Sequence, residues 1–391
     1  MLTFVQEKND MEQTHDFEQI RPFTDDEVAP VIEQLCNEPY FVGILGYIFP
    51  GMAANDVLSR LKTIKTIDEF QEKFIIPFLS NLMKNTTEGV TADGVDKLSK
   101  KGGYLFVSNH RDIILDSALI NIKLHEKGFE TTEIGIGDNL LIYDWITDLV
   151  KLNKSFVVKR NLPVRQMMAA SEKLSAFIRH SIVKDKQNIW IAQREGRSKD
   201  GNDLTQSSVL KMFNLSGRSD MVENFKELNI VPVSISYELD PCDYLKAYQS
   251  QLKRDDENYQ KSQREDLVHM NTGLNGRKGR VHLSFGTPIT TELNDLRDLN
   301  KNAFITAVAE KIDKQVHRNY KLWPGNYIAY DILNGVSDYS TEYTEKEKNE
   351  FVEYVNEHIS RLDNPDEDYI FDYIMKMYAN PVINKLKAQE E

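Results

Sequence analysis

The sequence has few cysteines and no hydrophobic run long enough to cross a membrane. Cys36 and Cys242 are the two cysteines among 391 residues. They lie far apart and lack the spacing of zinc ligands or of a disulfide framework, so we expect neither a metal site nor a disulfide, and a reducing compartment. The longest apolar window, at 40–54, is interrupted by glycine and proline and is shorter than the roughly 20 residues that span a bilayer. It predicts a core helix or a segment lying on a membrane surface.

Several recognisable signals are also missing. The first residues, MLTFVQEKNDMEQTHDFEQ, carry acidic and amide groups where a signal peptide has its apolar core, so a cytoplasmic protein is expected. No Gly-x-Ser-x-Gly, P-loop or His-Glu-x-x-His motif occurs, and Gly135-Ile136-Gly137 lacks the third glycine of a dinucleotide fingerprint. These absences disfavour the common hydrolase, nucleotide-binding and zinc-peptidase sites.

The net charge of −13 argues against nucleic-acid binding, which needs a basic face. The charge is unevenly distributed, because residues 151–220 contain 14 Lys and Arg against 6 Asp and Glu. A basic middle in an acidic chain indicates an anionic ligand. The alternative is an ordinary solvated surface of mixed charge.

The pattern along the chain predicts four parts. Residues 1–20 are polar and predicted to be loose, and 21–99 have the apolar spacing of short helices broken by proline. Residues 100–290 alternate strand and helix patterns, and 291–391 return to helix as a C-terminal cap. The predicted strands are YLFVS (104–108), TEIGIG (132–137), SFVVKR (155–160), NIWIAQ (188–193), IVPVSIS (230–236) and RVHLSFG (280–286).

These strands are nearly continuous apolar runs, which is typical of strands buried on both faces. The fold class predicted is therefore α/β, with a mostly parallel or mixed sheet covered by helices, a helical N-terminal preface and a helical C-terminal cap.

A cluster of polar residues follows the first of these strands, in YLFVSNHRDIILD (104–116). Ligands of open α/β sheets bind at the carboxyl ends of the strands, where His110 is expected to lie. A histidine can accept a proton near neutral pH when a carboxylate orients it, and Asp112 and Asp116 are both close in sequence. A structural histidine is the alternative, although so many polar groups at one strand end favour a functional site.

The segment NHRDIILD resembles the first motif of the glycerolipid acyltransferases, which use a histidine and a nearby aspartate. That family usually leaves four residues between the two, which falls here on Leu115, and the aspartate comes one residue later at Asp116. Asp116 is therefore the preferred partner of His110, and Asp112 is its competitor.

Later segments are similar to the other motifs of this family in the same order. They are GIGDNL and FVVKRN (135–140 and 156–161), QREGRSKDG (193–201), IVPVSISYE (230–238) and the closing RVHLSFGTPI (280–289). The resemblance covers about residues 100–290 and implies the substrate-binding residues Arg160, Glu195, Gly196, Arg197, Ser198 and Pro232. Arginine has a planar fork that suits phosphate, so Arg197 is expected to hold the phosphate of the acceptor, with Lys159 and Arg194 adding positive charge.

The resemblance implies transfer of a fatty acyl group from acyl-CoA or acyl-carrier protein to a hydroxyl of glycerol-3-phosphate or 1-acylglycerol-3-phosphate in phospholipid synthesis. His110 would be the general base, and no cofactor or metal would be required beyond the acyl donor. Peripheral contact with the inner face of the membrane is expected. Three alternatives stay open: another lipid acceptor, a thioester or ester hydrolase, and a non-catalytic lipid-binding protein of the same fold.

Overall fold

The computed structural model describes residues 17–160 and 162–390. A loose N-terminus is predicted for residues 1–20, of which 1–16 lie outside the described residues. For residues 17–20 the prediction is wrong. Phe17 and Ile20 are buried in a core of the protein, and the Ile20 carbonyl accepts a hydrogen bond of 2.8 Å from the Val157 amide.

Seven strands form a single sheet in the order β1-β7-β6-β2-β5-β3-β4. All neighbouring pairs are parallel except β6 with β7. This arrangement confirms the predicted α/β class with a mostly parallel, mixed sheet. The strands are β1 (Val90–Asp93), β2 (Leu105–Ser108), β3 (Thr132–Gly137), β4 (Ser155–Val158), β5 (Asn188–Ala192), β6 (Ile230–Tyr237) and β7 (Val281–Phe285).

Strand β1 corrects the predicted helical preface 21–99, because it lies inside that stretch and forms the edge of the sheet beside β7. Its sequence, VTAD, is short and alternates between half-buried and exposed residues, so it lacks the apolar run that marks the other strands. Gly94 ends it with a φ of +80°, and a Cβ there would lie 2.0 Å from the Phe285 carbonyl oxygen. The glycine therefore allows the turn to pass directly against β7.

Helices before the sheet surround a core of their own. Within the apolar window at 40–54, Phe41 and Leu45 are fully buried, whereas Tyr40 and Tyr47 are exposed. The window is thus a core helix with an open outer face. The helices are α1 (Asp25–Cys36), α2 (Pro39–Ile48), α3 (Ala54–Leu61), α4 (Ile67–Phe70, which continues through a π-helical turn at Gln71–Ile75) and α5 (Ile76–Thr86).

Both faces of the sheet are covered, as the apolar strands predict. In β2, Leu105 and Val107 belong to one core and Phe106 belongs to the core on the opposite face. The helices of this part are α6 (Leu115–Glu126), α7 (Asp144–Leu152), α8 (Val164–Val183), α9 (Ser207–Phe213), α10 (Met221–Lys226), α11 (Asp243–Asp255) and α12 (Gln263–Asn275), with 3-10 turns at Val95–Lys97, Asp138–Leu140 and Thr291–Leu296.

The C-terminal part contains α13 (Lys301–Asn319), α14 (Pro324–Asn334), α15 (Glu345–Ile359) and α16 (Glu367–Glu390). The sequence predicts one helix over 296–316, and α13 begins later because the Asn300 side chain caps the amides of Asn302 and Ala303. Phe304 and Val308 of α13 share the core of β2, so this helix belongs to the α/β body. No helix in the described part of the chain is both long and apolar enough to cross a membrane.

Candidate active site

His110 lies directly beyond the carboxyl end of β2. The Asn109 side chain extends the pairing of β2 with β6, because its amide donates to the Ile235 carbonyl at 2.9 Å and its oxygen accepts from the Ile235 amide at 2.8 Å. This pairing holds the chain rigidly up to the residue before His110. The His110 side chain is 14% exposed, so a substrate can reach it from the edge of the sheet.

Asp116, in the first turn of α6, is completely buried and binds His110. Its Oδ2 atom lies 2.9 Å from His110 Nδ1 and also accepts the backbone amides of Arg111 at 2.6 Å and Asp112 at 3.0 Å. Its Oδ1 atom accepts the Tyr237 hydroxyl at 3.0 Å. Burial and the charge of Asp116 raise the pKa of Tyr237 well above its ordinary value, so the phenol keeps the proton that it donates.

These contacts determine which ring nitrogen of His110 carries the proton. Because the Asp116 oxygen accepts two backbone amides, it acts as an acceptor toward the ring as well, and Nδ1 must donate. Nε2 is then left with a free lone pair. A histidine in this tautomer, supported by a buried carboxylate, is an arrangement that can remove a proton from a substrate hydroxyl.

Asp112 has a different role from Asp116. Its Oδ1 atom accepts the amides of Ile114 at 2.9 Å and Leu115 at 2.8 Å, which stabilises the turn that leads into α6. Its Oδ2 atom packs against Gly273 of α12, where an added Cβ would lie 2.1 Å away. Burial and the neighbouring charge of Asp116 raise the pKa of Asp112. Of the two candidates, the structure therefore brings only Asp116 into contact with the His110 ring.

The segment Glu195-Gly196-Arg197-Ser198 forms a loop beyond β5 and is attached to the same site. The Ser198 amide donates to the His110 carbonyl at 2.9 Å. Gly196 has a φ of +71°, a left-handed conformation in which glycine is favoured. The loop thus carries Arg197 to the strand end that holds His110.

Arg197 contacts a residue that the sequence patterns did not indicate, His269 of α12. Its Nη2 atom donates to His269 Nδ1 at 3.1 Å, whereas its Nη1 atom is buried without a hydrogen-bond partner in the described part of the chain. Burial and the charge of Arg197 lower the pKa of His269 to about 2, so this ring is neutral and can accept. The guanidinium retains one unused donor group.

Arg160 and Glu195 also come together, with Arg160 Nη1 3.6 Å from Glu195 Oε1. The Arg160 side chain passes over Gly137, where a Cβ would lie 2.6 Å from its Nε atom. Pro232 does not join them. It is the third residue of β6, paired with Val107 inside the sheet, and its carbonyl accepts the Gly286 amide at 2.8 Å. The structure therefore places Pro232 inside the sheet, and its predicted contact with substrate stays a prediction.

A buried group of charges behind His110 was also missed by the sequence patterns. Arg111 Nη2 lies 3.3 Å from Asp240 Oδ2, which also pairs with Lys246 Nζ. Lys246 Nζ donates to the Arg111 carbonyl at 2.8 Å. The Asp240 amide donates to the Tyr378 hydroxyl at 2.8 Å, and this bond connects the site to α16.

Helix α16 also approaches the loop after β5. The Asn380 side chain donates to the Asp200 carbonyl at 2.6 Å, and a Cβ on Gly201 would lie 2.1 Å from the Met377 carbonyl oxygen. The C-terminal helices, for which the sequence offers no function, therefore hold both loops of the candidate site.

Part of the chain is similar to a known family of proteins. Residues 89–236 match the family model described as Acyltransferase, a range that begins just before β1 and ends within β6. A crystal structure of the 1-acyl-sn-glycerophosphate (LPA) acyltransferase PlsC from Thermotoga maritima is similar over 73% of this chain and 92% of that one, at 13% identity and a TM-score of 0.35. No curated protein sequence matches the chain. His110, Asp116 and the Arg197 loop all lie inside the range that is similar to the acyltransferase family model.

Proposed function

We propose that the protein transfers a fatty acyl group from a thioester, either acyl-CoA or acyl-carrier protein, to a hydroxyl of glycerol-3-phosphate or 1-acylglycerol-3-phosphate. The observation that carries this proposal is the hydrogen bond between His110 Nδ1 and Asp116 Oδ2, which leaves Nε2 available as a base. The family match over residues 89–236 supports acyl transfer as the reaction class.

His110 Nε2 takes the proton of the acceptor hydroxyl while the oxygen attacks the thioester carbonyl. The resulting oxyanion intermediate collapses to the ester, and the thiolate leaves and receives the proton from the imidazolium. Asp116 stabilises the imidazolium that exists between these two steps. No residue of the protein is acylated, so the rate depends on orientation and on proton transfer.

Arg197 and Arg160 are proposed to bind the phosphate of the acceptor. The unused Nη1 donors of Arg197 and the half-exposed Arg160 guanidinium supply charge-assisted hydrogen bonds of the kind that phosphate favours. Glu195 would orient Arg160. The proposal accounts for the surplus of basic residues between 151 and 220.

The reaction is tested by supplying the purified protein with acyl-CoA or acyl-carrier protein and a panel of acceptors, followed by mass spectrometry of the products. We expect an acylated glycerophosphate and no covalently acylated protein. Release of free fatty acid through a trapped acyl-enzyme would indicate a hydrolase instead. Binding of lipid without any product from the whole panel would indicate a non-catalytic protein.

Substitution of Arg197 by alanine is expected to raise the KM for the phosphate-bearing acceptor by about 10- to 100-fold, since a hydrogen bond to a charged group contributes roughly 1.5–3 kcal/mol. The KM for the acyl donor should change much less. Arg165→Ala is a matched control, because Arg165 is exposed on α8. An unchanged acceptor KM in Arg197→Ala would reject the assigned role.

We further propose that the protein contacts the inner face of the membrane through α2 and the segment before α7. Tyr40 and Tyr143 are 71% and 55% exposed, and their rings stack with centroids 6.3 Å apart. Exposed aromatic rings favour the polar boundary of a bilayer. Tyr40→Ser/Tyr143→Ser should sediment with phospholipid vesicles several-fold less than the unchanged protein, and equal sedimentation would contradict this surface.

A further inference from the structure

Three lysines are grouped next to the loop that carries Arg197, because two of them lie close enough to the third to act on its charge. Lys199 follows Arg197 by two residues, Lys253 is in the last turn of α11, and Lys261 lies just before α12. We call Lys199, Lys253 and Lys261 the lysine corner. The mechanism proposed above uses none of them.

Contacts along α12 show how the corner is built. Lys261 forms an ion pair with Asp266, and Arg197 donates to His269, three residues further along the helix. Residues three apart lie on the same face of a helix, so Lys261 and Arg197 are neighbours along one face of α12.

Helix α11 is attached to α12 close to the corner. The Gln249 amide donates to Glu265 at 3.2 Å, and Lys253 lies one helical turn beyond Gln249. The contact brings the end of α11, with Lys253, to the start of α12.

Two of the three ammonium groups are not neutralised by the protein. Within the described residues, neither Lys199 Nζ nor Lys253 Nζ has a hydrogen-bond or ion-pair partner, although Lys199 is half-buried. The pKa of Lys199 is lowered to about 8, mainly by burial and then by the charges of Lys253, Lys261 and Arg197. The charge of Asp266 raises this pKa, but by less. Cations held together in this way repel one another, and an anion bound between them would relieve the repulsion.

We propose that the lysine corner binds the phosphate groups of a coenzyme-A-type acyl donor. This inference rests on the proposed function, in which Arg197 and Arg160 take the single phosphate of the acceptor. The additional cations match a second ligand with several phosphates, such as the diphosphate and the nucleotide phosphate of coenzyme A. Protein surrounds much of Lys199, so a slender phosphate chain reaches its ammonium more easily than the carboxylates on the surface of a carrier protein.

The corner and the catalytic histidine are part of one structural unit. The Ser198 amide binds the His110 carbonyl at 2.9 Å, and Lys199 is the next residue in the chain. A donor anchored by its phosphates at the corner would therefore extend its thioester arm toward His110 along the loop after β5.

The proposal is tested by titrating the full-length protein with coenzyme A in a calorimeter. Lys199→Met and Lys253→Met should each raise the Kd for coenzyme A roughly fivefold, because each removes one charge-assisted contact. The double variant should raise the Kd further. Added salt should reduce the affinity of the unchanged protein for coenzyme A more than that of the double variant. Lys346→Met is the control, since Lys346 is exposed on α15 and pairs only with Glu350 within the described residues. Equal affinity of the double variant and the unchanged protein would overturn the proposal.

Two further measurements separate this inference from the proposed function. The first measurement is binding of the Lys199→Met/Lys253→Met variant to vesicles of phosphatidylglycerol. If this variant loses vesicle binding while its affinity for coenzyme A is unchanged, the corner binds lipid headgroups and the proposal is overturned. Transfer that uses only acyl-carrier protein would overturn it and leave the proposed reaction intact. Lysine-dependent binding of coenzyme A without any acyl transfer would support the corner while rejecting the proposed reaction.

Discussion

Substitution of Asp116 by asparagine is expected to lower the kcat of acyl transfer by about 10²- to 10⁴-fold, the range in which a positioned base contributes to catalysis. The carboxylate accepts His110 Nδ1 and the amides of Arg111 and Asp112 on one oxygen. An asparagine keeps the shape but removes the negative charge that stabilises the imidazolium. If its amide nitrogen faces the ring, it also donates to Nδ1 and reverses the tautomer, so that Nε2 can no longer accept a proton.

The measurement is a comparison of kcat for three variants whose folding is checked by thermal unfolding. His110→Ala sets the lower limit, because no base remains. Asp112→Asn is the matched control, since Asp112 is equally near in sequence but contacts the backbone amides of Ile114 and Leu115. We expect Asp112→Asn to lower stability by about 1 kcal/mol, as the loss of a capping side chain does, while most of kcat is retained. A larger loss of kcat in Asp112→Asn than in Asp116→Asn would reject Asp116 as the partner of His110.

The strands of this fold could be predicted because burial on both faces leaves a clear mark in the sequence. TEIGIG was placed at its observed limits, Thr132–Gly137, and the other five predicted strands agree with the structure to within two residues at either end. Strand β1 could not be found in this way, since Val90–Asp93 is a half-exposed edge strand. Its position depends on pairing with β7, nearly 200 residues later in the chain, and no local pattern records such a contact.

The candidate site shows the same division between local and distant contacts. His110 follows the end of β2 and Asp116 lies in the first turn of the next helix, so their proximity follows from a short stretch of sequence. His269 reaches Arg197 from 72 residues away, and Lys246 reaches Arg111 from 135 residues away. Neither residue belongs to a motif, and each is brought to the site by long-range packing, of α11 against α15 and α16 and of α12 against α5. Pro232 lies inside a buried strand, so its motif also reflects packing within the sheet, and its contact with substrate stays a prediction.

Substitution of Lys246 by methionine is expected to lower the free energy of unfolding by about 3–5 kcal/mol, because it leaves a buried carboxylate short of one positive partner. Lys246 is fully buried and pairs with Asp240, whose other contacts in the described residues include Arg111 at 3.3 Å and the uncharged Cys242 amide at 3.0 Å. Burial favours the neutral acid, but the charges of Lys246 and Arg111 outweigh it and lower the pKa of Asp240 to about 2. Loss of the bond to the Arg111 carbonyl would also loosen the residue next to His110, so kcat should fall with stability.

The stability that the Lys246–Asp240 ion pair contributes depends on pH. The folded-state pKa of Asp240 lies below the ordinary value of 3.8, so the stability that it contributes is present above about pH 4 and is lost as the pH falls toward 2. The difference in unfolding free energy between the unchanged protein and Lys246→Met should therefore be largest above pH 5 and shrink on acidification. Urea unfolding at a series of pH values measures it.

A double variant separates the ion pair from the packing of the lysine side chain. Asp240→Asn/Lys246→Met removes both charges, and it should recover part of the stability that Lys246→Met loses, as a double-mutant cycle would register. Lys253→Met provides the control on the same helix, because Lys253 is exposed and should change unfolding by less than about 0.5 kcal/mol. Equal stability of Lys246→Met and Lys253→Met would show that the buried charges do not hold the loop of His110. It would also remove the physical link through which α16, by way of Tyr378 and Asp240, reaches the candidate active site.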